Sequence, residues 1–221
     1  MRRTSSPPGP ALRVPAGSPP AGSTAPACGP PSPPPGTPTP PPPRPLLTSV
    51  TRTLAGALAA LHAHGFTHAD VQPTNIRITP TGTGVLLDYA LACGPEEHQG
   101  RLPYRGALTH TTAPELATEL LATPEHTHVQ VQPPADIWAL GATLFWCWTG
   151  QRPIAYRDDV DAGREGMLRD IADGRDLRNI TAARPWSFLE LQDIVTACLA
   201  RDPRVRPTAV EVQEWQQTHL C

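Results

Sequence analysis

The stretch HADVQPTNI, His68 to Ile76, decides how the rest of the chain is read. It sets a histidine, an aspartate and an asparagine around a proline, between two regular patterns. Before it, Val50, Leu54, Leu58 and Leu61 recur at spacings of three and four, which lays one apolar stripe along a helix. Gly65 stands where a left-handed residue closes such a helix, with His62 and His64 in its last turn. After it, Ile76 and Ile78 alternate with polar residues, Pro80 to Gly84 supply a turn, and Val85, Leu86 and Leu87 run back. This is a β-hairpin centred near Thr81 to Thr83, and it brings Asn75 and Asp88 together.

These residue types suit one chemistry. A carboxylate at Asp70 can accept the proton of an attacking hydroxyl, while the amide oxygen of Asn75 and the carboxylate of Asp88 are hard oxygen donors of the kind magnesium takes. Phosphoryl transfer needs both parts, a cation against the phosphate charge and a group that orients the nucleophile. Taken singly, an aspartate in a turn and an asparagine ahead of a strand are ordinary local backbone binders.

Working outward, ADIWALGATLFWCWTG, Ala135 to Gly150, is apolar nearly all round and reads as a helix in the middle of a core. It is shorter than the roughly 20 apolar residues that a bilayer crossing needs. REGMLRDIADG and FLELQDIVTACLA are further amphipathic helices, and Thr208 and Glu211 have capping-box spacing at the start of a last one. Between Tyr89 and Pro114 the pattern breaks into a solvated loop that carries Thr109, Thr111 and Thr112. His126 and His128 would present two imidazoles on one side of a strand.

Composition divides the chain. Most of its 30 prolines precede Leu46, so residues 1–45 are expected to be a disordered or polyproline-II tail and residues 46–221 the folded unit. PPPPRP, Pro40 to Pro45, is a candidate ligand for an SH3-like partner. The formal charge of -2 gives no nucleic-acid footprint. The 5 cysteines lack C-x-x-C spacing, Cys147 and Cys198 read as packed thiols, and a reducing, cytoplasmic setting follows. All 18 basic side chains are arginine, so chemistry that requires a lysine is not done by these residues alone.

The motifs, in this order, resemble the protein-kinase family, in particular its large C-terminal lobe. HADVQPTN is similar to the catalytic loop H-R-D-L-K-P-x-N, DYA (Asp88 to Ala90) to D-F-G, and APE (Ala113 to Glu115) to the A-P-E that closes the activation segment. DIWALG, Asp136 to Gly141, resembles the D-x-W-x-x-G helix, and DPRVRPTA, Asp202 to Ala209, the D-P-x-x-R-P-T element. The resemblance implies an α+β, protein-kinase-like fold, mainly a helical C-lobe with a small β-hairpin. It implies Asp70 as catalytic base, Asn75 and Asp88 as ligands of magnesium and so of the bound ATP, and a protein substrate. It also implies structural roles: His68 packed behind the loop, Glu115 paired with Arg206, and Asp136 bonded to the catalytic-loop backbone.

The departures bear on chemistry. Ala69 replaces the arginine that in many kinases reads a phosphorylated activation loop. Gln72 stands where Ser/Thr kinases place a lysine on the transferred phosphate, and its neutral amide donates a hydrogen bond without charge. The small N-terminal lobe, with its glycine-rich loop and strand lysine, is expected to be absent, its place taken by the proline tail. Three readings follow: a protein kinase of incomplete or weak Ser/Thr activity, a catalytically silent pseudokinase-type binding module, and a small-molecule phosphotransferase of the aminoglycoside or choline type.

Overall fold

The computed structural model describes residues 42–94, 103–156, 163–175 and 177–215. Expectations for the tail up to Pro41 lie outside the described residues. Helix α1, Arg44–Ala63, begins two residues before the boundary read from composition, with Pro43 as its N-cap. Pro45 sits in its first turn, where the missing N–H breaks no bond. Arg44 and Pro45, the last two residues of the PPPPRP motif, are therefore helical and not polyproline-II. Leu47, Val50, Leu54 and Leu58 form the buried stripe of α1, and Gly65 follows at φ 75°.

Strands β1, Ile76–Ile78, and β2, Gly84–Leu86, pair antiparallel with Ile76 opposite Leu86. This register centres the turn on Thr81, so Asn75 faces Leu87, and Asp88 falls one position later than the sequence suggested. Gly84 presses the hairpin onto α1: its N–H donates to Thr53 Oγ1 at 3.0 Å, and a Cβ there would meet Val50 Cγ1 at 3.1 Å.

The rest is helical: α2, Pro114–Ala122; α3, Pro133–Thr149; α4, Gly163–Ala172; α5, Ile180–Ala183; α6, Leu189–Cys198; and α7, Ala209–Glu214. Helix α3 starts two residues ahead of Ala135 because its prolines occupy the first turn. It ends at Gly150 with φ 71° and is buried on nearly every side. Helix α3 packs on α1 and α6, α2 on α4, and α1 on α7 and β2. A single hairpin among these helices gives an α+β arrangement in which helices dominate. Among the described residues no helix is long and apolar enough to cross a membrane.

Three expectations change. Thr109, Thr111 and Thr112 are buried rather than solvated, because a 3-10 turn folds them inward and the hydroxyls of Thr111 and Thr112 both donate to the Leu108 carbonyl. Cys147 is exposed, since the last turns of α3 emerge from the core, whereas Cys198 is buried. His126 and His128 lie around a turn closed by Thr127 N–H on the Pro124 carbonyl, and not in a strand.

Candidate active site

The loop from His68 to Asn75 is fastened from behind by one carboxylate. Asp136, in the first turn of α3 and 1% exposed, accepts from His68 N–H at 2.7 Å and Ala69 N–H at 2.9 Å. His62 Nε2, from the last turn of α1, donates to the same group at 3.0 Å. Ala69 has φ 63°, a left-handed conformation that costs an L residue roughly 1–2 kcal/mol. The two backbone bonds to Asp136 hold it there.

His68 is fully buried and ties the loop to the hairpin. Its Nε2–H donates to the Leu87 carbonyl at 3.1 Å, and its Nδ1 accepts from Asp70 N–H at 3.3 Å. These partners call for the tautomer with its proton on Nε2. The ring meets Tyr89 edge-on, with 4.9 Å between centroids.

Asp70 is half-buried and engaged on both oxygens. Gln72 Nε2 donates to Oδ1 at 2.7 Å, and Asn75 Nδ2 donates to Oδ2 at 2.7 Å and to the Asp70 carbonyl at 3.0 Å. With acceptors on both sides, the Asn75 amide must present its NH2 to Asp70, which keeps its oxygen out of these bonds. Asp88 is exposed at φ 60°, with its Oδ1 accepting from Ala90 N–H at 3.3 Å. It follows a residue clamped at both ends, for Leu87 N–H donates to the Asn75 carbonyl at 2.8 Å while its carbonyl takes the His68 bond. Asp70, Gln72 and Asn75 thus form one bonded trio, and Asp88 is linked to them through backbone.

Glu115 and Arg206 meet at the far side of α3. Arg206 Nη1 and Nη2 donate to the two Glu115 oxygens at 2.6 and 2.7 Å, Nη1 also to the Pro134 carbonyl, Nη2 to the Arg201 carbonyl and Nε to the Ala200 carbonyl. The guanidinium lies 5.1 Å from the Trp138 ring centroid.

Two contributors to the loop had no signal in the sequence. Tyr104 donates its hydroxyl to the Ala69 carbonyl at 3.0 Å, and His62 read only as a helix-end residue. The oxygens of Asn75 and Asp88 fit a hard cation by chemistry, although no group of three or more His, Cys, Asp or Glu side chains able to hold a metal occurs among the described residues.

The family model of the protein kinase domain matches residues 43–217. The chain is 28% identical over 167 residues to mitogen-activated protein kinase kinase 3 of Arabidopsis thaliana, covering 75% of this chain and 29% of that protein. It is 30% identical over 166 residues to a mitogen-activated protein kinase kinase kinase 3 of the same plant, covering 73% and 26%. With the probable serine/threonine-protein kinase PkwA of Thermomonospora curvata it shares 27% identity over 191 residues, covering 80% and 23%. The chain therefore spans only about a quarter of the length of these relatives. Since the matched region takes in the Asp70 loop, the hairpin, the Glu115–Arg206 pair and the Asp136 helix together, the chain belongs to the protein kinase family.

Proposed function

We propose that residues 46–221 act as the catalytic lobe of a Ser/Thr protein kinase, transferring a phosphoryl group from Mg-ATP to a protein hydroxyl, with residues 1–45 as an accessory tail. The observation that carries this reading is the Asp70 carboxylate, oriented by Gln72 and Asn75 on a backbone that Asp136 holds in a strained shape. Asp70 would orient the substrate hydroxyl and take its proton. Gln72 would contribute a neutral donor near the transferred group, and Asn75 Oδ1 with the Asp88 carboxylate would hold magnesium. Bound magnesium supplies the charge that neutralises phosphate. Without a lysine anywhere in these residues, turnover would be weak. The buried, free thiol of Cys198 suits a reducing, cytoplasmic setting.

A test compares the full chain with Asp70→Asn and Asp88→Asn. The unaltered chain should melt at higher temperature with Mg-ATP than with ATP and chelator; Asp88→Asn should lose that difference, and Asp70→Asn should keep it while losing transfer to a peptide panel. Absence of magnesium-dependent protection in the unaltered chain would overturn the reading, and transfer to aminoglycosides but not peptides would replace it with the small-molecule one. A second reading, a binding module of the pseudokinase kind, is favoured by one observation: Ile78, Val85, Leu87 and Tyr89, on and after the hairpin, are all exposed.

A further inference from the structure

Ala69 occupies the position at which, by the resemblance, many kinases place an arginine that reads a phosphorylated activation segment. The structure puts an uncharged tie there. The Ala69 N–H is bound by Asp136, and its carbonyl accepts from the Tyr104 hydroxyl at 3.0 Å. Tyr104 is only 4% exposed and comes from the segment that leads into α2. Its own peptide is anchored on both sides, with N–H on His128 Nδ1 at 2.9 Å and carbonyl accepting from Val129 N–H at 3.2 Å. Arg105 extends the anchorage by donating to the Leu120 and Thr123 carbonyls at the end of α2, at 2.9 and 3.0 Å. The donors and acceptors of these bonds are backbone amides and carbonyls, a carboxylate, a phenol, an imidazole and a guanidinium. The threonines of the segment are sequestered as well, Thr109, Thr111 and Thr112 being 4–7% exposed.

We propose that Tyr104 is a positioning residue: its hydroxyl holds the left-handed Ala69 peptide, and with it Asp70, so that the segment entering α2 is built in its working position without phosphorylation. Burial, and then the nearby Cys93, Asp70 and Asp136, push the Tyr104 phenol well above the ordinary range, which keeps it a donor at neutral pH. Rotation of the ring out of this site would leave the Ala69 carbonyl without that donor and free the loop on one side.

The inference rests on the proposed role of Asp70 for its functional consequence, though its structural part does not. Tyr104→Phe keeps the ring and removes the bond. In the full chain, made unphosphorylated and verified by mass, backbone hydrogen exchange is read over His68 to Asp70 and over Ile137 to Leu144 in α3. Tyr104→Phe should speed exchange at His68 to Asp70 about tenfold, the equivalent of about 1.4 kcal/mol, and leave α3 unchanged. A general structural role would instead speed both segments together and overturn the proposal, as would no change at His68 to Asp70. Exchange in the unphosphorylated parent already as fast as in Tyr104→Phe would overturn it too. Where peptide phosphorylation is measurable, kcat should fall with peptide KM unchanged. Failure of the parent to transfer phosphate would refute the kinase reading alone and leave the exchange result to judge Tyr104.

Discussion

A buried cation is tolerated only when its donors are matched, and Arg206 meets that condition with all five N–H groups engaged while its side chain is fully buried. Glu115→Ala would strand that charge beside Trp138. Because the Glu115 side chain is about a third exposed, the expected loss lies at the low end for a broken buried pair, about 3 kcal/mol, read as a lower urea midpoint at unchanged slope. Arg206→Lys should lose nearly as much, since an ammonium carries three donors and no planar fork. Cysteine chemistry tests burial separately. Burial pushes the Cys198 thiol up to about 12 and, by partial burial, raises that of Cys147 as well, but Cys147 is exposed and open to reagent. Alkylation followed by peptide mapping should find Cys147 modified in the folded chain and Cys198 only on unfolding. The sign of the pH effect follows: a thiol raised in the fold contributes stability below its unfolded value near 9, and that contribution is lost as pH rises toward 12. At this scale Asp70, Asn75, Glu115 and Arg206 could be named in advance because each sits in a local motif. Tyr104 could not, since its partner Ala69 is 35 residues away and no spacing rule links a tyrosine to a carbonyl.

Helices α3 and α6 approach closely because Gly141 has no side chain. A Cβ added there would stand 2.6 Å from Cys198 Cβ, and neither atom is the end of a flexible chain. Gly141→Ala must part the helices, and overpacking of this kind costs about 1–3 kcal/mol. Gly150→Ala is the contrast: nothing lies within 4 Å of its Cβ, so the loss reflects only the left-handed φ of 71°, roughly 1–2 kcal/mol. The two variants should therefore differ in core packing, which near-ultraviolet dichroism of the buried Trp138 and Trp148 would report. At the start of α7 the Thr208 hydroxyl and the Glu211 carboxylate form a reciprocal capping box. Its removal by Thr208→Ala should cost about 1 kcal/mol. Elements with a long apolar period were legible: α1, α3, α6 and the hairpin. Helix α2 was not, for its nine residues offer only about two and a half turns of pattern and begin inside the APE motif. The hairpin register was off by one because the Pro-Thr-Gly-Thr-Gly turn admits more than one centre, and only the ladder chooses between them.

At the scale of the molecule, the hairpin has one covered side and one bare side. Gly84 and Leu86 face α1 and are buried, while Val85 is 39% exposed and, beyond the strand, Leu87 is 38% exposed and Tyr89 47%. Ile78, opposite Gly84 at the end of the first strand and so at the rim of the covered side, is 53% exposed, and Phe66, after α1, is 37% exposed. Single exposed apolar residues are ordinary, but Val85, Leu87 and Tyr89, at alternate positions along one side of the second strand and the segment that follows it, make a surface that water disfavours, with Ile78 exposed at the rim of the other side. The chain should therefore bind a hydrophobic dye and associate as concentration rises, seen by light scattering. Ile78→Asp with Val85→Asp would test the cause, because neither side chain lies in the core and neither position carries the Asp70, Asn75 and Asp88 groups. The double variant should stay monomeric, bind less dye and unfold at nearly the parent urea midpoint. Association that persists in the double variant would place the sticky surface elsewhere, for example around exposed Val205 and Val210 near α7. Mg-ATP protection measured on the same variant separates two uses of this face: protection that survives the aspartates makes the hairpin side chains dispensable for nucleotide, and protection that vanishes makes the bare side part of its seat.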